Sequence, residues 1–321
     1  MKNIVLHTDN ISKNFKSFCA LKNVSVTLEK GKVYGLIGKN GAGKTSLMRI
    51  ISGLSFQSSG SYTLFGEIDE KDIQTARRKI GCLIEYPSLN GSMNAKDNLT
   101  LHMIMRGIKS KTLADELLTL VGLSAEPKKK VKDFSLGMRQ RLGIAVALVG
   151  DPELLILDEP INGLDPIGVV EIRKLIRSLA EQRGMTVLIS SHNLPELYQT
   201  ASDYIIIDHG EIKKILDLKQ LEQECQHYIC VKTKMVTQLV SILENELHTN
   251  KFKVADEQTI NIYDFVGNEE ILAKALCDNK IITTRFAVEG ESLESYFIKV
   301  IGGDAVCLNM SLQNEQLSRT R

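Results

Sequence analysis

The stretch Gly38-Lys39-Asn40-Gly41-Ala42-Gly43-Lys44-Thr45 decides the fold. It matches the phosphate-loop pattern of two glycines four residues apart followed by Lys and Thr. Its context is the one that the pattern requires. Val33-Tyr34-Gly35-Leu36-Ile37 reads as a buried strand, and Thr45-Ser46-Leu47-Met48-Arg49-Ile50-Ile51 opens a helix. Glycines let backbone N–H groups converge on phosphate oxygens without Cβ obstruction. The helix N-terminus adds free N–H groups and the positive end of its dipole. Lys44 supplies an ammonium for the outer phosphates, and Thr45 a hydroxyl for Mg²⁺. Residues Gly38 through Ser46 are therefore expected to bind a nucleoside triphosphate. A glycine-rich turn with a solvated lysine is the plainer alternative, and the flanking strand and helix argue against it.

A second apolar run, Leu154-Leu155-Ile156-Leu157, ends in Asp158-Glu159-Pro160. A phosphate loop needs an acid on a neighbouring strand for Mg²⁺, which suits Asp158. Glu159 follows where a carboxylate can polarise an attacking water. Alone, these acids would read as well as a solvated turn; the upstream loop gives them a task. Ser190-Ser191-His192 follows a third strand, and His192 there can stabilise the γ-phosphate. The catalytic set is thus Glu159, His192 and Lys44.

The first two-thirds of the 321 residues alternate short β-rich runs with amphipathic helices, an α/β signature. Core strands are expected at Val33–Ile37, Leu154–Asp158, Val187–Ser190 and Tyr204–Ile207. Helices at Ala95–Arg106 and Thr112–Val121 mark a helical insertion at about 86–134. From 217 to 303 a smaller α+β domain is expected. Its order is strand Tyr228–Lys232, helix Met235–Leu247, strand Phe252–Ala255, strand Thr259–Tyr263, helix Glu269–Cys277, strand Ile281–Val288 and helix Leu293–Val300. The first six elements follow a split βαβ, ferredoxin-like order. Residues 304–321 read as a polar tail. The division is then 1–216, 217–303 and 304–321.

With 40 basic and 39 acidic residues the net charge is +1, which gives no electrostatic case for nucleic acid. The six cysteines have no C-x-x-C pair and read as reduced structural thiols. No run has the length of a membrane span, so any membrane part must come from another chain.

Residues 132–145, Lys-Asp-Phe-Ser-Leu-Gly-Met-Arg-Gln-Arg-Leu-Gly-Ile-Ala, resemble the signature motif of ATP-binding-cassette (ABC) ATPases. The helix that they begin also gives Ser135 and its neighbouring N–H groups the character of an anion site. The resemblance covers about residues 4–215. It implies ATP and Mg²⁺ as ligands and a head-to-tail dimer with a second copy of the chain. In that dimer Ser135, Gly137 and Met138 would cover the γ-phosphate held by the other copy. Phe15 matches the aromatic that stacks on adenine in the family, and a core phenylalanine is its plainer reading. Asn162-Gly163-Leu164-Asp165 resembles the loop linking the two cassettes, and Asp165 is counted with the nucleotide site.

Two positions depart from the family pattern. Glu85 stands where glutamine is usual and is counted with Thr45 and Asp158 as a metal ligand. Leu136 stands where the signature has its first glycine. Together with Glu291-Ser292-Leu293-Glu294-Ser295-Tyr296-Phe297-Ile298-Lys299, these features resemble the bacitracin and lantibiotic exporter subgroup. The resemblance implies an ATP-hydrolysing motor on the inner face of the cell membrane, held there by integral permease subunits that its helical insertion touches. An importer motor with a regulatory C-terminal domain, or a soluble ABC ATPase, are the alternatives.

Overall fold

A computed structural model describes residues 3–125 and 127–302, in two compact units, the first built on residues up to Leu218 and the second on Lys219–Lys299. The tail expected at 304–321 and Cys307 lie outside the described residues.

The first unit opens with β1 (Ile4–Phe15), β2 (Phe18–Val24), β3 (Thr27–Glu29), β4 (Val33–Ile37), α1 (Lys44–Ile51) and β5 (Ser59–Leu64). It continues with α2 (Glu70–Ala76), β6 (Ile80–Leu83), α3 (Ala95–Met105), α4 (Leu113–Leu120), α5 (Leu136–Ala147) and β7 (Leu154–Leu157). It closes with α6 (Pro166–Arg183), β8 (Thr186–Ser191), α7 (Leu194–Tyr198), β9 (Asp203–Asp208) and β10 (Glu211–Asp217).

Six strands form a sheet in the order β10-β9-β4-β8-β7-β6. All neighbours are parallel except the edge pair β9 and β10. Every residue of β4, β7 and β8 is buried. That explains why these runs are apolar without alternation: a parallel sheet is covered on both faces. Strand β1 pairs with β2, β3 and β5 in an antiparallel sheet. Its burial alternates in part, so this sheet gave no continuous apolar run in the sequence. Leu6, Leu28 and Leu64 from it join Leu36, Leu47, Ile50 and Ile156 in one core.

Helices α3, α4 and α5 pack against one another, and α5 also packs on β6. Asn94 caps α3 by accepting the Asp97 N–H at 2.8 Å. The helix stops one residue before Arg106, whose guanidinium donates to the Val149 carbonyl at 2.6 Å.

The second unit contains α8 (Leu218–Glu224), β11 (Tyr228–Lys232), α9 (Val236–Asn245), β12 (Phe252–Asp256), β13 (Thr259–Ile262), α10 (Glu269–Asp278), β14 (Arg285–Glu289) and α11 (Leu293–Gly302), the first and last running past its limits. Its four strands are all antiparallel, in the order β12-β13-β11-β14. Leu239, Ile242, Leu243, Leu272 and Leu276 of α9 and α10 pack on Ile229, Val231, Ile260 and Ile262. One expectation is corrected here. Ile281–Thr284 precede the strand instead of starting it. The Ile281 N–H closes α10 by donating to the Leu276 carbonyl at 2.9 Å, so these residues serve as a connection.

Candidate functional site

The site is built at the C-terminal ends of parallel strands, where open α/β sheets bind ligands. Registers set the ends of β4, β8, β7 and β6 along one edge: Ile37 pairs with Ser191, Leu157 with Ile189, and Leu83 with Leu157. The segments after these strands begin with Gly38, His192, Asp158 and Ile84. One edge therefore brings together residues as distant in sequence as Gly38 and His192.

The phosphate loop is fixed by sterics as well as by hydrogen bonds. Gly43 has φ +108°, and a Cβ there would lie 2.6 Å from the Ala20 carbonyl oxygen. A Cβ on Gly38 would lie 2.4 Å from the carbonyl oxygen of Ile207. Only glycine fits either position. Residues Lys39 through Ser46, with Phe18, Ala20 and Glu159, line a cavity of about 210 Å³. Lys44 is buried, and its ammonium donates to the carbonyls of Gly38 (2.7 Å) and Lys39 (3.3 Å). It also lies 3.3 Å from Glu159 Oε1. A buried ammonium in a ring of oxygen acceptors offers a concentrated positive charge for phosphate.

Asp158 is buried and satisfied by two hydroxyls. Thr45 Oγ1 donates to its Oδ2 at 2.8 Å, and Ser190 Oγ donates to its Oδ1 at 2.6 Å. Ser190 Oγ also accepts the Glu159 N–H at 2.8 Å. One buried hydroxyl thereby fixes both acids. Glu159 has φ +48°, a left-handed turn that redirects the chain as it leaves the sheet. His192 Nδ1 stands 3.0 Å from Glu159 Oε2. A carboxylate can only accept, so this contact places the imidazole proton on Nδ1. Ser190 escaped the sequence reading because a strand serine carries no motif.

Thr45 and Asp158 are hard oxygen donors on a common point, which fits Mg²⁺ held jointly with phosphate oxygens. Among the described residues, no group of three His, Cys, Asp or Glu side chains could hold a metal alone.

Known proteins resemble this chain along most of its length. The ABC transporter family matches residues 21–162. The bacitracin transport ATP-binding protein BcrA of Bacillus licheniformis is 37% identical over 302 residues, 94% of this chain and 99% of that protein. The chain belongs to the ABC transporter ATP-binding proteins. This ABC protein is an ATPase subunit of a transporter. The lantibiotic transport ATP-binding protein SrtF of Streptococcus pyogenes is 46% identical over 209 residues, 65% of this chain and 89% of its own length. A dimeric ATP-binding cassette in a post-hydrolysis state with ADP and Pi is also similar, with TM-score 0.60 and 27% identity, covering 66% of this chain and 98% of the cassette.

The remaining expected site residues of this ABC protein lie apart from the phosphate loop's cavity. Ser135 caps α5 by accepting the Met138 N–H at 3.2 Å. Gly137 and Leu136 face the 162–165 loop: Leu136 Cδ2 comes 3.2 Å from a Cβ built on Gly163. Asp165 caps α6 through the Gly168 N–H at 3.0 Å. Phe15 is exposed beneath the Lys13 ammonium, 4.8 Å from the ring centroid, and does not line the cavity, whereas Phe18 does. Phe18 pairs with Phe15 where β1 turns into β2, a register that the sequence reading did not supply. Glu85 pairs with Arg49 at 2.6 Å, whereas Thr45 hydrogen-bonds to Asp158.

Proposed function

We propose that this chain is the motor of an exporter or resistance transporter for peptide antibiotics of the bacitracin or lantibiotic kind. The observation that carries the reading is coverage. Similarity to the bacitracin transport protein extends over 94% of this chain, well beyond the cassette and into the C-terminal unit. In this reading Lys44 and the N–H groups of residues 38–46 hold the phosphates of ATP. Thr45 and Asp158 hold Mg²⁺, which would supply charge neutralisation at the transferred phosphoryl group. Glu159 accepts the proton of the attacking water, and His192 orients that carboxylate and meets the γ-phosphate. Ser135, Gly137, Met138 and Asp165 act across a head-to-tail dimer. The dimeric state of the similar cassette supports this pairing.

The strand order and antiparallel pairing of the second unit support a ferredoxin-like domain. No helix among the described residues is long and apolar enough to cross a membrane. Permease subunits would therefore tether the motor to the cytoplasmic face, through the helical segment 86–134.

Two measurements test the proposal. Glu159→Gln should bind ATP and lose ATP turnover by about 100-fold or more. Near wild-type hydrolysis would remove Glu159 from the base role. Deleting the gene should sensitise its host to bacitracin or lantibiotics; unchanged survival on both would refute the substrate class.

A further inference from the structure

Two adjacent serines end β8, and strand alternation sends their side chains to opposite faces. Ser190 holds Asp158 and the Glu159 N–H on one face. Ser191, equally buried, makes a different pair of bonds on the other. Its hydroxyl accepts the Asn193 N–H at 3.0 Å and donates to Glu196 Oε2 at 3.2 Å. These two bonds bridge His192 and tie the turn that carries it to the first turn of α7, where Glu196 lies. The Ser191 carbonyl also accepts the Gly38 N–H at 3.3 Å, so the phosphate loop and the His192 turn are attached to one residue. His192 itself is exposed, and packing does little to hold its ring. Its contact of 3.0 Å with Glu159 therefore depends on the turn.

We propose that Ser191 is a positioning residue, oriented by Glu196, that holds the His192 imidazole against Glu159. The inference rests on the reading that Glu159 accepts the proton of the attacking water and His192 orients that carboxylate. The Ser191 hydroxyl has a single proton, and donating it to Glu196 leaves a lone pair for the Asn193 N–H. Alanine at 191 removes both bonds and leaves a backbone donor at the turn without its acceptor. The bond to Gly38 uses the main chain and survives that change. Loss of the hydroxyl should thus disturb His192 and spare the phosphate loop.

Steady-state kinetics and NMR of the full chain test this. Ser191→Ala should lower kcat by about three- to tenfold, the range of one lost hydrogen bond, with the KM for ATP little changed. Glu196→Ala should act in the same direction, and Glu196→Gln, whose amide oxygen still accepts, should keep near wild-type turnover. In a His192→Ala background neither alanine should cost anything further. Without nucleotide, the long-range ¹H–¹⁵N signals of the His192 ring, assigned by their loss in His192→Ala, should show the Nδ1–H tautomer. Ser191→Ala should turn them into a mixture of tautomers. A raised KM with kcat intact, an equal loss of kcat in the His192→Ala background, or an unchanged tautomer would overturn the role of Ser191. Near wild-type turnover by His192→Ala alone would instead remove His192 from the mechanism, and the proposal with it.

Discussion

Ser190 is the residue on which the two acids depend. It donates to Asp158 and accepts from the Glu159 backbone, and it is fully buried. Ser190→Ala leaves Asp158 Oδ1 without its donor and the Glu159 N–H without its acceptor. A group supporting a metal ligand in this way contributes about 10–100-fold to affinity or activity. We expect Ser190→Ala to weaken Mg²⁺-dependent nucleotide binding by that order while binding without Mg²⁺ changes little; an equal loss in both conditions would mean the loop itself had moved. Lys44, Thr45, Asp158 and Glu159 were legible as site candidates because phosphate chemistry demands those residue types at that spacing. Ser190 and Phe18 were not, because a hydroxyl or a ring acquires its meaning only from what stands across from it.

At the scale of elements, the phosphate loop is held by absent side chains. Gly43→Ala would force a methyl group to within 2.6 Å of the Ala20 carbonyl at a φ of +108°. The backbone must give way, at a cost of about 1–3 kcal/mol. Thermal unfolding without nucleotide should fall by several degrees, and nucleotide binding should be lost disproportionately. Unchanged unfolding would show that the loop has slack.

In the second unit, the Thr249 hydroxyl holds the Asp264 carboxyl below its ordinary value, partial burial opposes it, and Lys251 adds to the lowering. Thr249 Oγ1 donates to Asp264 Oδ2 at 2.6 Å. A depressed carboxyl pKa stabilises the fold above the unfolded value of about 3.9 and ceases to do so as pH falls through the folded value. Thr249→Val should therefore cost stability at pH 7, about 1 kcal/mol or less at this half-exposed site, and progressively less below pH 4. Urea unfolding at pH 7 and pH 3 measures it, and a deficit that does not shrink in acid would assign the loss to packing. Element types in this unit were legible from period and length. The start of β14 was not, since Ile281 has strand composition but is claimed by the closing turn of α10.

At the scale of the molecule, each of the two units has, among the described residues, a hydrophobic core of its own. A ligand stabilises the fold that binds it, by about 2.7 kcal/mol at one hundred times its dissociation constant. Calorimetry of the full chain should resolve two transitions, and ATP with Mg²⁺ should raise only one. A single transition that moves as a whole would mean that the cores unfold together. The same scale governs catalysis. Ser135 and Gly137 lie outside the residues that line the cavity of their own phosphate loop. A monomer should therefore bind ATP and turn it over slowly, with turnover rising with protein concentration. Strong hydrolysis by a protein shown to be monomeric would oppose the dimer reading.

The sequence by itself determined the phosphate loop and the acids that follow an apolar strand, because each is a local pattern imposed by backbone geometry and phosphate charge; the signature helix was legible only through its resemblance to a family. The sequence also carried the α/β alternation, since a strand buried on both faces must be apolar throughout. Only the tertiary structure decided the strand order that aligns Ile37, Leu83, Leu157 and Ser191 on one edge, the antiparallel sheet around β1, and the partners of Ser190 and Glu85. These depend on registers between strands far apart in the chain, and a hydrogen bond between distant residues leaves no mark on either one's local sequence.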